Sequence, residues 1–101
     1  MKVYSHPSLD LIPLSTVMQA LSDPCRIAIV RTLLDNAGFE LSCNEIPLDV
    51  SKATRSYHFD VLRDAGVIFT RSEGTKCMTS LRRKELNKCF PGLLKLISMR
   101  S

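Results

Sequence analysis

The stretch from Ser51 to Leu81, SKATRSYHFDVLRDAGVIFTRSEGTKCMTSL, constrains the fold more than any other part of the chain. Ser51 is of a type that caps helix starts, and the bulky or apolar residues Arg55, His58, Phe59, Leu62 and Ala65 then recur at the spacing of one helical face. Gly66 tolerates the left-handed conformation that commonly ends a helix. With about 100° of turn per residue, Ala53, Ser56, Tyr57, Asp60 and Asp64 fall on the opposite side, flanked by Lys52 and Arg63. That outer face is small and hydrogen-bonding near its start, as a helix entering a major groove must be to meet base edges. VIFTR and KCMTSL are strand-like and joined by Ser72, Glu73, Gly74 and Thr75, so a short hairpin follows the helix, with Arg71 and Lys76 flanking its tip. A helix and hairpin in that order predict a winged helix-turn-helix whose wing lays cations over phosphates.

The rest of the chain is read against that unit. At 101 residues there is room for one domain spanning 1–101 with a modest core. The net charge of +4 is unevenly placed: residues 51–84 carry eight Lys and Arg against three Asp and Glu, whereas residues 1–50 carry three against six. Positive charge thus coincides with the helix and hairpin, the footprint expected for a polyanionic partner. Met1 to Asp10 lacks a signal-peptide core and no run approaches a membrane span, which predicts a cytoplasmic chain with no membrane partner. In that compartment four cysteines without paired spacing are expected as reduced thiols, each by default a small buried side chain. There is no glycine-rich phosphate loop, and His6 and His58 have no nucleophile or metal partner in sequence. No catalytic residue and no cofactor are therefore assigned, and the chain is read as a non-enzyme.

Leu9, Ile12, Leu14, Val17, Met18 and Leu21 predict a first helix that is apolar on more than one stripe, with Pro13 tolerated near its first turn. Asp23-Pro24 is a cap followed by a first-turn proline, and Ile27, Val30, Leu33 and Leu34 continue a core helix to a stop at Gly38. Phe39, Glu40 and Leu41 allow no more than a short strand. Ser42-Cys43-Asn44-Glu45 fits a capping box, but Pro47 disfavours helix at Ile46, so the supporting element should be one or two turns long. Leu86, Phe90, Leu93, Leu94 and Ile97 predict a last helix starting near Arg83 and breaking or kinking at Pro91. The result is a mainly α fold of about five helices plus a two-stranded wing. The first and last helices are both over-apolar, which predicts that they form a homodimer interface.

With these elements placed, LSDPCRIAIVRTLL, SKATRSYHFDVLRDAGVI and the following RSEGTK resemble the ArsR family of bacterial transcriptional repressors. They are similar to the family's "L-x-D-P-x-R" opening and its "S-x-x-S-x-H-L-x-x-L-x-x-A-G-L" helix, and the likeness runs from about Leu14 to Ile97. The resemblance implies a homodimer that binds a double-stranded operator of approximate two-fold symmetry, blocks transcription, and lets go when an effector arrives. Lys52, Thr54, Ser56 and Tyr57 match the base-facing part of the family's helix. Arg55 departs from the apolar residue usual there; its stem is expected to snorkel so that its head reaches a phosphate near the helix start or else solvent, the phosphate being the preferred reading. His58 lies on the inner edge and is expected to be a hydrogen-bonded structural histidine. The DNA-contacting set is then Lys52, Thr54, Arg55, Ser56, Tyr57, Arg63, Arg71 and Lys76.

Metal-sensing members carry "E-L-C-x-C-D-L" in the supporting helix, and this chain reads Glu40-Leu41-Ser42-Cys43-Asn44-Glu45-Ile46, with both ligand positions lost. The last helix, where a second family site lies, offers no histidine and one acid, Glu85, so no metal site is assigned at either place. The effector is unknown. Cys43, near a capped helix start, is the candidate thiol sensor, weighed against an inert buried thiol. The rival to a DNA-binding regulator is a winged helix used as a protein-docking module.

Overall fold

A computed structural model of the chain describes residues 3–36 and 40–100. Ser51 accepts from the backbone N–H of Thr54 and opens the helix α3 over Lys52–Asp64. The helix ends where Gly66 takes a φ of +79° and the Gly66 and Val67 N–H groups fold back onto Arg63 and Leu62 carbonyls. Its inner face buries His58, Phe59 and Leu62.

Ahead of α3, Leu9–Leu11 forms a 3-10 turn, α1 spans Leu14–Ala20 and α2 spans Pro24–Asp35. The single first helix expected from periodicity is thus cut in two. Pro13, its ring fixing φ at −72°, is extended at ψ 155°, and Ile12 before it is extended, as the proline ring requires of its neighbour. Asp23 caps α2 by accepting from Cys25 N–H at 2.7 Å, with Pro24 in the first turn. The expected stop at Gly38 and the Phe39 part of the short strand lie outside the described residues.

Strand β1, Leu41–Ser42, leads into a 3-10 turn over Cys43–Glu45 that carries the complete Ser42/Glu45 capping box. The supporting element is therefore one turn long, as the proline at 47 demands. After α3 come β2, Ile68–Glu73, and β3, Lys76–Leu81. The Glu73↔Lys76 pair leaves only Gly74 and Thr75 in the turn, so β2 runs on to Glu73, further toward the tip than VIFTR indicates, while β3 spans the expected KCMTSL. The sheet has three antiparallel strands in the order β1-β3-β2, one more than the two-stranded wing expected, because β1 pairs with β3 at Leu41↔Thr79 and Ser42↔Met78.

The C-terminal part forms α4, Arg83–Cys89, and α5, Leu93–Arg100, separated at Pro91. Val17, Ile29, Val30, Ile46, Leu62, Ile68 and Leu86 are completely or nearly completely buried and form the core between α1, α2, α3, the sheet and α4. Fully burying an aliphatic side chain of this size contributes about 1.5–3 kcal/mol. Leu11, Leu14 and Met18 near the start, and Leu96 and Met99 on α5, stay exposed. No helix among the described residues is long and apolar enough to cross a membrane.

Candidate nucleic-acid interface

The outer face of α3 is open. Lys52, Ala53, Thr54, Ser56 and Tyr57 are all exposed, with Tyr57 keeping 60% of its surface accessible. The helix is positioned by its inner face. Arg26 on α2 donates from Nη1 to His58 Nδ1 at 3.1 Å and from Nε to the Ala20 carbonyl at 2.6 Å, so one buried guanidinium joins α1, α2 and α3. His58 is the structural histidine expected of it.

Lys52 and Ser56 from α3, Thr75 from the wing tip, and Cys43 and Asn44 from the supporting turn line one cleft of about 240 Å³ between helix and wing. Arg63 stands on the same cleft but is occupied: it pairs with Asp60 at 3.0 Å and Asp64 at 3.7 Å and lies over the Tyr4 ring. Arg71 is exposed yet donates from Nε to Glu40 at 2.7 Å and from Nη2 to both Glu40 and Glu73. The hydrogen bond from Arg71 holds the Glu40 carboxyl below its usual range, and the same pairing raises the Arg71 guanidinium further. Lys76, on β3 beside the turn, is exposed.

Arg55 corrects a sequence expectation. Its guanidinium does not run out along the helix toward a phosphate; it donates to the carbonyls of Cys43, Ile46 and Leu48 at 3.1, 2.7 and 3.2 Å. A positive head aimed at three carbonyls ties the supporting turn to the recognition helix. Arg82, counted in the basic stretch, is likewise internal: it donates to Pro7 O, pairs with Glu85 and lies over the Phe69 ring.

The expectation of four reduced thiols is corrected too. Cys43 and Cys77 form a disulfide with a Cα–Cα distance of 5.6 Å. The sulfurs approach because β1 and β3 are neighbours, a relationship that 34 residues of sequence separation conceal. Cys25 and Cys89 are free. Burial and the carboxylate of Asp10, which accepts from the Cys89 thiol at 3.3 Å, push that thiol up and away from reactivity.

Asp23, Cys25 and His58 bring three donor atoms within 4.8 Å of one another, a group that sequence reading missed because α2 and α3 had to pack to form it. Its contacts are those of a structural cluster. Asp23 already caps α2, and because the Arg26 guanidinium only donates, His58 Nδ1 must accept, leaving a neutral ring's proton on Nε2, which lies 4.0 Å from Asp23. That proton and the adjacent guanidinium both oppose a cation there.

No protein-family model matches the chain. An uncharacterized HTH-type transcriptional regulator of Bacillus subtilis, YceK, is 41% identical over 83 residues, 80% of this chain and 82% of that protein. Among solved structures, reduced HlyU from Vibrio cholerae superposes with a TM-score of 0.67 at 26% identity over 84% of each chain. The transcriptional repressor BigR from Xylella fastidiosa superposes at 0.60 and 26% identity over 76% of this chain and 85% of that one. An open helix with a hydrogen-bonding face, a hairpin wing beside it and these relatives place the chain in the ArsR family of winged helix-turn-helix transcriptional regulators.

Proposed function

We propose that this regulator is a homodimeric repressor that reads an operator of approximate two-fold symmetry with α3 and is released by an effector other than a metal at the family's cysteine-pair position. The observation that carries the reading is the exposed run Lys52, Thr54, Ser56 and Tyr57, of which Lys52 and Ser56 line one cleft with Thr75 of the wing tip. Tyr57, Ser56 and Thr54 supply apolar and hydrogen-bonding contacts for base edges, and Lys52 and Lys76 supply cations for the flanking phosphates. Exposed Leu11, Leu14, Met18, Leu96 and Met99 support a second copy as the cover for the terminal helices. The release signal is assigned to the thiol chemistry of Cys43.

The test is footprinting and salt-dependent binding on the DNA upstream of the protein's own coding region. Protection of two half-sites about one helical turn apart supports a dimer on an operator. Affinity should fall by roughly 0.9 log units per log of salt for each phosphate neutralised. A nearly salt-independent interaction, with no protected site, would point instead to protein docking. In sedimentation, Leu14→Glu with Met99→Glu should convert a dimer to a monomer; a wild-type monomer at micromolar concentration would remove the dimer from the reading.

A further inference from the structure

The paired residues of β1 and β3 are Leu41↔Thr79 and Ser42↔Met78, so one more step of the antiparallel register sets Cys43 opposite Cys77. The disulfide is thus the next rung of a ladder that otherwise has two, and it clips the edge strand and the supporting turn to the wing. Both cysteines line the cleft between α3 and the wing. Cys43 is buried and Cys77 is half-buried, so Cys77 is the sulfur a small molecule in the cleft reaches first.

Two further contacts give the bond leverage. Cys43 O accepts from Arg55, so the clipped turn is held to the recognition helix. Glu40, three residues before Cys43, grips Arg71, so the clipped segment also occupies the wing's cation. An exposed ion pair contributes little alone. With the wing covalently fastened to the segment that carries Glu40, however, the two partners are prevented from drifting apart.

We propose that Cys43 and Cys77 are a reversible dithiol–disulfide couple, opened by small organic thiols, whose disulfide form holds the wing and Arg71 against residues 40–45 and thereby weakens DNA binding. The proposal rests on the wing being a phosphate contact. In the opening reaction a thiolate attacks Cys77 Sγ, forming a mixed disulfide, while the electron pair of the Cys43–Cys77 bond leaves on Cys43, which then takes up a proton. A second thiol attacks the mixed disulfide, forms the small-molecule disulfide and frees Cys77 as a thiol. Two small thiols are oxidised, one protein disulfide is reduced, and the reverse sequence with a small disulfide closes the bond. Once open, Arg71 can exchange Glu40 for a phosphate. Because linkage is reciprocal, duplex DNA must shift the couple toward the dithiol by the same factor by which the dithiol binds more tightly.

The full chain is equilibrated in glutathione buffers of graded ratio, with bond state read by alkylation and mass spectrometry, and titrated with the duplex from upstream of its own coding region and with a random duplex. The expected result is roughly tenfold tighter binding by the dithiol form, within the usual range of such couplings. The buffer midpoint should move by the same factor when saturating duplex is added. Cys77→Ser and Cys43→Ser/Cys77→Ser, checked for folding by circular dichroism, should bind like the dithiol form in every buffer. Equal affinity of the two wild-type forms, or tighter binding by the disulfide form, overturns the proposal while leaving the DNA-binding reading intact. Absence of DNA binding in both forms overturns the two together.

Discussion

Arg55 donates to the carbonyl of Cys43 at 3.1 Å, so the recognition helix is hydrogen-bonded to the residue that carries half of the disulfide. The same guanidinium serves Ile46 and Leu48, filling carbonyl positions of a supporting element too short to satisfy them within a helix. Arg55→Ala should therefore cost about 2 kcal/mol, the scale of hydrogen bonds to a charged group. For a domain of this size that corresponds to roughly 10 °C in Tm. Arg55→Lys, which keeps the charge but reaches fewer carbonyls, should recover part of it. An Ala variant that melts with the wild type would show that these bonds are idle.

Tyr57 and Lys76 should separate in their effects on DNA. Tyr57→Ala removes a group proposed to face the bases and should lower affinity for the operator roughly tenfold with little change on random duplex. Lys76→Ala should weaken both alike and reduce the salt slope by about one. On the proposed reading Arg71 must leave Glu40 to reach a phosphate, so Glu40→Gln should raise affinity for both duplexes at low salt. Competition or fluorescence titration at two salt concentrations measures all three; equal losses for Tyr57→Ala on both duplexes would remove it from base reading.

Gly66 lies at φ +79°, and a Cβ placed there would sit 2.6 Å from Leu9 Cδ1. Gly66→Ala therefore combines backbone strain with a clash at the junction of α3, the 3-10 turn at Leu9–Leu11 and the wing. A cost of about 1–3 kcal/mol is expected. Urea unfolding should show a lower midpoint with an unchanged slope. Gly74→Ala is the contrast: its φ is +61° but nothing lies within 4 Å, so only the strain is felt.

His6 should give the fold a sensitivity to mild acid. Its Nε2 accepts from Thr70 N–H at 2.9 Å, pinning the N-terminal segment onto the outer edge of β2. Burial, then the nearby Arg82 and Arg63 cations, lower its pKa from 6.5. Below about pH 6.5 the unfolded imidazole takes up a proton that the folded ring resists, so stability present at neutral pH drains as pH falls. The loss levels off once the folded ring protonates as well. His6→Gln, which keeps an acceptor without a titrating group, should flatten the fall in Tm between about pH 7 and 5.5; an unchanged fall would assign it to other groups.

The order of elements was legible because its signals are local. Ser51 before a helical repeat, Gly66 after it, Asp23-Pro24 and the Ser42/Glu45 box all act on neighbouring backbone groups, and each appears in the fold as a cap or stop. Periodicity alone turns Tyr57 and Ser56 outward, which suffices when one stripe of a helix is buried and the other is not. The same periodicity turns His58 inward, where it is buried against Arg26.

What the chain by itself determined is therefore the winged helix plan and the identity of the face that α3 leaves open. Tertiary structure decided which groups on that plan are already engaged: Arg55 on three carbonyls, Arg71 on Glu40, Arg82 on Pro7 and Glu85, and Cys43 on Cys77. The reason is physical. Local signals act over a few residues through the backbone, whereas a side chain's partner is set by strand register and helix packing, and these bring together positions 31 to 75 residues apart in the Arg71–Glu40, Cys43–Cys77 and Arg82–Pro7 contacts.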